Sequence, residues 1–377
     1  MSLLKALRPI IVKEFRQIRR DPTSLGMLLI LPSAIIVLGG YALNLDVKHI
    51  PIAIYDQNKT SQSRDFLNVF THSEYFDHMY TVDSHAEIER LFDGGDAKLA
   101  VVVPVSFAQD LFAGRNVKVQ FLVDGSDANS ASQAIGYAIG MTNSYSNRLT
   151  ARALFRQGKE AYVPIDFQPR IWYNPNLISS QFLIPGLIGF ILVLTAVVST
   201  SMTVVREKER GTMEQIMVSP LRPIDIILGK TVPYMVVSFV AITMIIIIGY
   251  FLFSVPIRGS LLLLYAAIFV LLLGALGQGL LISTVTNSQQ VAFMISIFSS
   301  LLPSFLLSGF IFPISSMPVV LQVISNVAVT KFFLVVVRGI MLKGVGLEAF
   351  WDQFLYMAIF ALFTLGISVL RMQKRSA

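Results

Sequence analysis

A run of charged side chains between Arg206 and Lys230 stands out because long uncharged apolar segments flank it on both sides. The charged residues are Arg206, Glu207, Lys208, Glu209, Arg210, Glu214, Arg222, Asp225 and Lys230. This stretch contains no nucleophile–base pair. We therefore expect its side chains to make electrostatic contacts and not to catalyse a reaction. A charged stretch between two segments of membrane length must emerge into water. We therefore interpret residues 205–230 as a segment outside the bilayer that receives a push from a soluble partner.

The local chemistry of this segment predicts a short helix. Thr212 can cap its N-terminus, and Gln215 three residues later completes a capping box. Ser219 and Pro220 end it, because proline disfavours helical geometry in the residue before it. Pro223 suits the first turn of a second helix, where its missing N–H costs nothing. The prediction is a rigid, charged helix over residues 212–218, held beside the membrane.

The composition places the chain in a membrane. Of its 377 residues, 54% are hydrophobic and only 14% are charged, with a mean hydropathy of +0.66, which is far from an ordinary soluble domain. The net charge of +7 comes largely from basic residues beside apolar segments, so we expect no nucleic-acid partner. The absence of cysteine excludes disulfides, thiolate catalysis and cysteine metal sites.

The chain reads as an α-helical integral membrane protein with six transmembrane helices. Segments of about 20 apolar residues can cross a hydrocarbon core of about 30 Å. The predicted spans are residues 23–45, 178–204, 230–253, 261–285, 291–312 and 351–370. Residues 1–22 precede them as an amphipathic helix that ends at Asp21-Pro22, with its basic face toward anionic headgroups. The first span is too long for a cleaved signal peptide, and no A-x-A site closes it.

Residues 46–177 have a different composition and hold all four histidines. Short β-branched runs alternate there with polar helical stretches, which predicts an α/β domain inserted between the first and second spans. The predicted strands begin at His49, His78, Leu99 and Val117, and the predicted helices cover residues 61–70, 85–92, 107–112 and 130–157. We expect these histidines to be solvated surface residues. The alternative is a metal site built from His72, His78 and His85 with nearby carboxylates.

Lysine and arginine in the short flanks predict the orientation. They cluster in residues 1–22, 205–230 and 371–377, which six spans place on one side. Both termini and the charged segment are therefore expected in the cytoplasm, and the α/β domain outside. Residues 313–346, apolar but broken by Lys331 and Arg338, are expected to form one or two amphipathic helices on the outer face or a re-entrant segment.

Several classes of function lack their residues. The chain has no G-x-x-x-x-G-K-[ST] loop for ATP and no H-E-x-x-H motif, so we expect no enzymatic activity in this chain. No Asp, Glu, Lys or Arg lies centrally in any predicted span, and proton- and sodium-coupled carriers usually place such groups there. An ion-driven carrier is therefore disfavoured. If the chain transports anything, the energy must come from elsewhere.

One polar pattern lies inside the predicted fifth span. Ser296, Ser300, Ser304 and Ser308 recur every four residues, interrupted by Pro303. Small residues at this spacing allow close helix packing. The same stripe could instead form one wall of a translocation path that bends at Pro303. Both interpretations remain open at this point.

Five stretches resemble the permeases of type-2 ABC exporters. They are ERGTMEQIMVSP at 209–220, KEFRQIRRDP at 13–22, YNPNLISSQFLIPGLIG at 173–189, LLSGFIFPISSMP at 306–318 and RGIMLKG at 338–344. A large external domain between the first two spans is similar to the multidrug-efflux subgroup. The resemblance covers nearly the whole chain. It departs at residues 329–333, where a proline is expected before the aromatic pair.

The resemblance implies half of a transporter. Two permeases, identical or paralogous, would pair around one path in a bacterial cytoplasmic membrane. Separate ATPase subunits would bind ATP and Mg²⁺, so this chain needs no cofactor of its own. The implied ATPase-coupling residues are Arg206, Glu207, Lys208, Glu209, Arg210, Gly211, Thr212, Met213, Glu214, Gln215 and Pro220. In a cell with two membranes, the external domain could also meet a periplasmic adaptor protein.

The implied function is ATP-dependent export of an amphipathic or hydrophobic, drug-like compound. Two alternatives stay open: export of a lipid or glycan precursor, and a non-transporting receptor whose external domain binds a ligand. The capped segment at 205–230 and the lack of any signalling domain disfavour the receptor.

Overall fold

A computed structural model describes residues 3–42, 49–156, 172–175, 178–212 and 223–376. Contacts divide the chain into two compact units. One, the membrane unit, comprises residues 1–44 and 170–377, and the other, the α/β unit, comprises residues 45–169. Each unit is built around its own hydrophobic core.

The chain begins with helices of the membrane unit. They are α1 (Leu3–Arg20), α2 (Pro22–Leu25), a π-helical turn (Gly26–Ile30) and α3 (Leu31–Ala42). As predicted, α1 ends at Asp21-Pro22. It packs closely where Gly229 faces Ile10, because a Cβ added at Gly229 would lie 2.6 Å from the Ile10 Cγ2. The predicted first span is helical without a break from Pro22 to Ala42.

The α/β unit alternates strands and helices, as its sequence pattern predicts. Its elements are β1 (Ile50–Asp56), α4 (Ser61–Thr71), β2 (Phe76–Thr81), α5 (His85–Gly94), β3 (Leu99–Val103), α6 (Phe107–Phe112), β4 (Gln120–Val123) and α7 (Ala128–Arg156). The sheet order is β2-β1-β3-β4. β1 is parallel to both β2 and β3, and β4 is antiparallel to β3.

Strand β3 is buried along its whole length, which is typical of a strand with both faces covered. Val101 and Val103 belong to one core cluster with Phe66 of α4, and Ala100 belongs to another with Ile88 of α5. The helices on the two faces begin with side-chain caps. Thr60 accepts from the Ser63 N–H at 3.2 Å and Ser84 from the Glu87 N–H at 3.3 Å.

Five described helices of the membrane unit are long and apolar enough to cross a membrane. They are α8 (Ser179–Glu209), α9 (Pro223–Phe253), α10 (Leu261–Val285), α11 (Gln289–Leu306) and α14 (Trp351–Ser376). The apolar helix Leu28–Ala42 is shorter than these. Of the most apolar 18 residues of α8, 78% are buried. A helix that is apolar on every side is surrounded by its neighbours. Helix α8 is the centre of this unit.

The predicted fifth span ends earlier than expected. Helix α11 continues through Pro303 but stops at Leu306, before Gly309 adopts a left-handed φ of 79°. A proline in a helix leaves the carbonyl four residues earlier without its N–H partner. Here the side chain of Gln278 on α10 donates to that carbonyl, Ser299 O, at 3.2 Å. A neighbouring helix thus satisfies the group that proline frees.

Residues 313–346 form two short α-helices, α12 (Val319–Ile324) and α13 (Val329–Arg338), with a π-helical turn at Gly339–Lys343. The pieces Val319–Val327 and Val329–Lys343 meet at 85°. The prediction for this stretch was one or two helices or a re-entrant segment, and the structure has two helices with a sharp bend between them. The Arg338 guanidinium lies 3.8 Å from the ring centroid of Phe182 on α8 and donates to the carbonyls of Gly309 and Phe310. These contacts hold the end of α13 against the start of α8.

Candidate functional site

The last turn of α8 carries four consecutive charged residues, Arg206, Glu207, Lys208 and Glu209, which we call the charge hub. Successive residues of an α-helix point about 100° apart. Four in a row therefore reach in four directions. Because α8 is surrounded by other helices, the side chains of the hub meet several different neighbours.

Glu207 lies in a network of four charges, three of which are buried. Glu14 is fully buried, Lys230 is 2% exposed and Glu207 is 4% exposed. The Lys230 ammonium lies 3.3 Å from the Glu14 carboxylate, and Lys13 lies 3.1 Å from the same oxygen. Both lysines also bond to Glu207. Burial lowers the pKa of Lys13, but its bonds to Glu207 and Glu14 outweigh that cost and raise it. The network joins α1, α8 and α9.

Lys208 and Glu209 form hydrogen bonds with backbone groups at the ends of two other helices. Lys208 donates to the carbonyls of Ser283 and Thr286, the latter at 3.1 Å, at the end of α10. Glu209 accepts from the backbone N–H of Gln289 at 2.8 Å, at the start of α11. A cation at a helix C-terminus and an anion at an N-terminus are the favourable signs for the helix dipole. These contacts attach the hub to α10 and α11.

Arg206 extends the hub to the junction of α1 and α2. Its guanidinium lies 2.9 Å from the Asp21 carboxylate, and its Nε donates to the Gln289 side chain at 3.2 Å. The hub therefore contacts α1, α9, α10 and α11 and the α1–α2 junction. A displacement of the end of α8 would act on all of them at once.

The remaining predicted coupling residues lie at or beyond the end of α8. Arg210 is exposed, and Gly211 ends the helix with a left-handed φ of 69°. Thr212 donates to the Glu207 carbonyl at 3.2 Å. Met213, Glu214, Gln215 and Pro220, with the predicted helix over 212–218, lie outside the described residues except for Thr212. The role of this whole set in binding an ATPase stays a prediction.

The predicted serine stripe faces the interior of the chain, with three of its serines on α11 and Ser308 just beyond the end of that helix. Ser296, Ser300, Ser304 and Ser308 are all buried. The Ser296 hydroxyl lies 2.6 Å from that of Ser201 on α8, and the Ser304 hydroxyl lies 2.6 Å from that of Thr330 on α13. The geometry within this chain is that of close helix packing. Met294, Phe298 and Leu302 occupy an exposed apolar face of the same helix.

Sequence reasoning missed the partners of the hub, above all Glu14. A signal was present, since charges of alternating sign follow directly on an α8 sequence that is apolar on every side. Such a helix is central, so charges at its end have neighbours in every direction. Elsewhere, no group of three or more His, Cys, Asp or Glu residues able to hold a metal occurs in the described part of the chain. The alternative metal site around His72, His78 and His85 is not assembled there.

Residues 22–370 match the family described as ABC-2 family transporter protein. The chain belongs to the ABC-2 transporter family. The match agrees with the five quoted sequence stretches and with the set of long apolar helices. As a member of this family, the chain is a multi-pass membrane permease of an ABC transporter, and the family works with ATPase subunits.

Relatives align over nearly the full ABC-2 chain. It is 32% identical to the probable multidrug ABC transporter permease YbhS of Escherichia coli, over 98% of this chain and 97% of that one. It is 33% identical to the probable multidrug ABC transporter permease YbhR, over 91% and 92% of the two chains. It is 30% identical to the inner membrane transport permease YhhJ, also of E. coli, over 96% of each chain. The alignments include the α/β unit.

Proposed function

We propose that this ABC-2 permease exports amphipathic or hydrophobic, drug-like compounds, and that the charge hub converts the motion of ATPase subunits into movement of the membrane helices. The observation that carries the proposal is the position of the hub. It lies just before the predicted helix over residues 212–218, and it bonds to α1, α9, α10 and α11. The word multidrug in the names of YbhS and YbhR supports the substrate class.

The contacts of the hub support the following coupling step. ATP and Mg²⁺ bind to the separate ATPase subunits, which seat residues 212–218 in a groove. The predicted helix lies within the coupling segment, residues 205–230, which has Glu207 near its start and Lys230 at its end. A push on the helix reaches both residues, and they bond to each other. The ends of α8 and α9 therefore move together. Buried charges cannot separate without strong cost, so the helices shift as rigid bodies between two packings.

In this proposal the hub residues do not contact the ATPase directly, which is the role that the resemblance implies for them. Arg206, Glu207, Lys208 and Glu209 would act within the chain, as positioning residues that transmit the push. Arg210 and Glu214 remain the candidates for direct contact with the ATPase, since Arg210 is exposed.

The proposed topology has six spans, with α2 and α3 as the first. The uninterrupted helical segment Pro22–Ala42 rises about 1.5 Å per residue, so it is about as long as a hydrocarbon core of about 30 Å. Contacts of α1 with Glu207 and Lys230 support the placement of the N-terminus and the coupling segment on one side, the cytoplasm.

The proposed external position of residues 46–177 is supported at the other end of the helices. The Tyr41 and Phe253 rings lie 5.1 Å apart, and the Gln181 side chain donates to Ser254 O at 3.3 Å. Within the membrane unit, α3 thus ends and α8 begins at the end of the helices away from the hub.

A second permease, identical or paralogous, completes the proposed transporter. The exposed apolar face of α11 is the candidate contact. Because the chain has no cysteine, Phe298→Cys introduces a single thiol. Disulfide dimers of this variant in membranes would support the contact. Dimers that form only when the thiol is placed at Leu362 on α14 instead would contradict it.

The coupling proposal predicts that Glu214→Arg uncouples ATP hydrolysis from export while the chain still inserts. Coupling free energies of about 1–3 kcal/mol correspond to changes of about 5- to 150-fold, so we expect export to fall about tenfold. The measurement is ATP turnover and drug uptake in inside-out liposomes that hold the permease and its ATPase. Glu348→Arg, with the same charge change at an exposed site away from the hub, is the matched control. Full export by Glu214→Arg would refute the docking role.

A further inference from the structure

We propose that a cavity between α1 and the ends of α8 and α9 binds the headgroup of an anionic phospholipid. Its volume is about 1140 Å³, and small-molecule sites measure about 300–1,000 Å³, so it can admit a headgroup. The proposal depends on the membrane setting of the chain and not on export. We call this site the basic cavity. Its lining includes Pro9, Ile10, Lys13, Glu14, Arg16, Arg20, Asp21, Arg206, Glu207, Arg210 and Lys230.

The basic cavity has an excess of positive charge. Among the residues that the structure describes, six lysine or arginine side chains line it, against three carboxylates. All three carboxylates already have cationic partners: Asp21 pairs with Arg206, and Glu14 and Glu207 pair with Lys13 and Lys230. This leaves three positive charges in excess. Phosphate is the ligand class that arginine recognises with paired N–H donors.

The excess lies on three arginines, Arg16, Arg20 and Arg210. All three are exposed, and none forms an ion pair with another residue that the structure describes. Arg16 and Arg20 are four residues apart on α1 and so share one face, while Arg210 follows the end of α8. The three guanidinium groups therefore come from two elements that border the same space, which is a pocket and not only a basic helix face.

The apolar part of the lining favours a lipid over a soluble anion. Pro9, Ile10 and Ile226 line the basic cavity beside the cations. Phe15 and Val12 are partly exposed on α1, which is an amphipathic helix suited to the membrane surface. Basic pockets between transmembrane helices on the cytoplasmic side are typical sites for anionic headgroups. The chemistry fits a phosphodiester attached to acyl chains.

Ion pairs between buried side chains join the walls of the basic cavity. The buried network of Glu14, Glu207 and Lys230 holds the facing walls in place. A site that keeps its shape without ligand loses less freedom when the ligand binds. A lipid held there would contact α1 and the hub residue Arg206 together, so the membrane composition would act on the same helix ends that the hub joins.

The test is lipid binding by the full-length chain, purified in detergent and followed by native mass spectrometry. Phosphatidylglycerol and cardiolipin should bind, and phosphatidylcholine should bind far more weakly. Arg16→Gln/Arg20→Gln removes two charges from the cavity. Each basic residue near the surface contributes enough that two should change the affinity about 10- to 30-fold. Arg8→Gln/Arg19→Gln removes two charges from the same helix outside the cavity, and it should change the affinity much less, because water and salt screen charges that do not contact the headgroup.

Equal losses in the two double variants would overturn the site, because only the general charge of α1 would then matter. Displacement of phosphatidylglycerol by millimolar inorganic phosphate would assign the pocket to a free anion and overturn the lipid. If Arg16→Gln/Arg20→Gln keeps its lipid but no longer co-purifies with the ATPase, the pocket serves a protein partner, and the proposal fails. Wild-type protein tests the proposal even if a variant misfolds: equal binding of phosphatidylcholine and phosphatidylglycerol would refute it.

Discussion

The α/β unit and the membrane unit place apolar and charged side chains in opposite ways. In the α/β unit the core is apolar, and ion pairs such as Lys59–Asp83 lie at the surface, with side chains 71% and 78% exposed. In the membrane unit large apolar side chains such as Phe251, Leu262 and Leu362 face outward. Its ion pair Lys230–Glu207 and its serines lie inside. The Lys59–Asp83 pair therefore lies at the surface of one unit, whereas the Lys230–Glu207 pair joins two helices of the other.

The difference has an energetic consequence. Exposed ion pairs contribute about 0–1 kcal/mol, because water screens them. Removing one partner of a buried pair costs about 3–5 kcal/mol, because the remaining charge stays buried without its counter-charge. The comparison thus predicts that equivalent substitutions act differently in the two units.

The largest expected effect comes from removing one lysine in each unit. Lys230→Met leaves Glu14 and Glu207 with Lys13 alone, whose side chain is 47% exposed. We expect the free energy of unfolding of the membrane unit to fall by about 3–5 kcal/mol. Lys59→Met should lower that of the α/β unit by about 1 kcal/mol or less. Thermal unfolding in detergent, with hydrogen exchange read separately in each unit, measures both. Equal effects would remove the contrast between the units.

The next effect concerns glycines and should differ in sign. A Cβ at Gly186 of α8 would lie 2.2 Å from the Phe310 ring, whereas a Cβ at Gly136 of α7 would meet nothing within 4 Å. Gly186→Ala should therefore destabilise the membrane unit by about 1–3 kcal/mol. Gly136→Ala should stabilise the α/β unit by about 0.4–1 kcal/mol. The same exchange measurement applies, and stabilisation by Gly186→Ala would contradict the packing of α8 against the 309–310 turn.

The smallest effect concerns hydroxyl groups. Thr60→Ala removes the cap of α4, and loss of such a cap costs about 1 kcal/mol. Ser304→Ala removes the bond to Thr330, and hydrogen bonds between membrane helices average about 0.6 kcal/mol.

Ser304→Ala also separates the two interpretations of the serine stripe. Packing predicts a small loss of stability with export retained in liposomes. Loss of export at unchanged stability and unchanged assembly would instead favour a translocation path.

Much of the architecture is readable from the sequence. The α/β alternation is confirmed element by element, with β2 beginning at Phe76, two residues earlier than predicted, and β4 at Gln120, three residues later. Four predicted spans correspond to α8, α9, α10 and α14. The predicted span over 291–312 is too long at its end, because the sequence shows the apolar run but not the left-handed turn at Gly309.

The candidate site is less readable. Arg206, Glu207, Lys208 and Glu209 stand out in the sequence as charges in water, and the structure places their side chains against other helices of the chain. Lys13 and Glu207, which bond directly, are 194 residues apart. No local pattern encodes a contact over that distance, so the partner could not be chosen among the many cationic residues.

Hydropathy, span length and turn chemistry depend on neighbours in the chain, and for that reason the sequence alone determined that this protein is a multi-pass membrane protein with an inserted α/β unit. The direction of each side chain around α8 depends on which helices surround it. Only the tertiary structure decided that the charges after α8 join the helix ends, since burial and counter-charges come from residues distant in sequence.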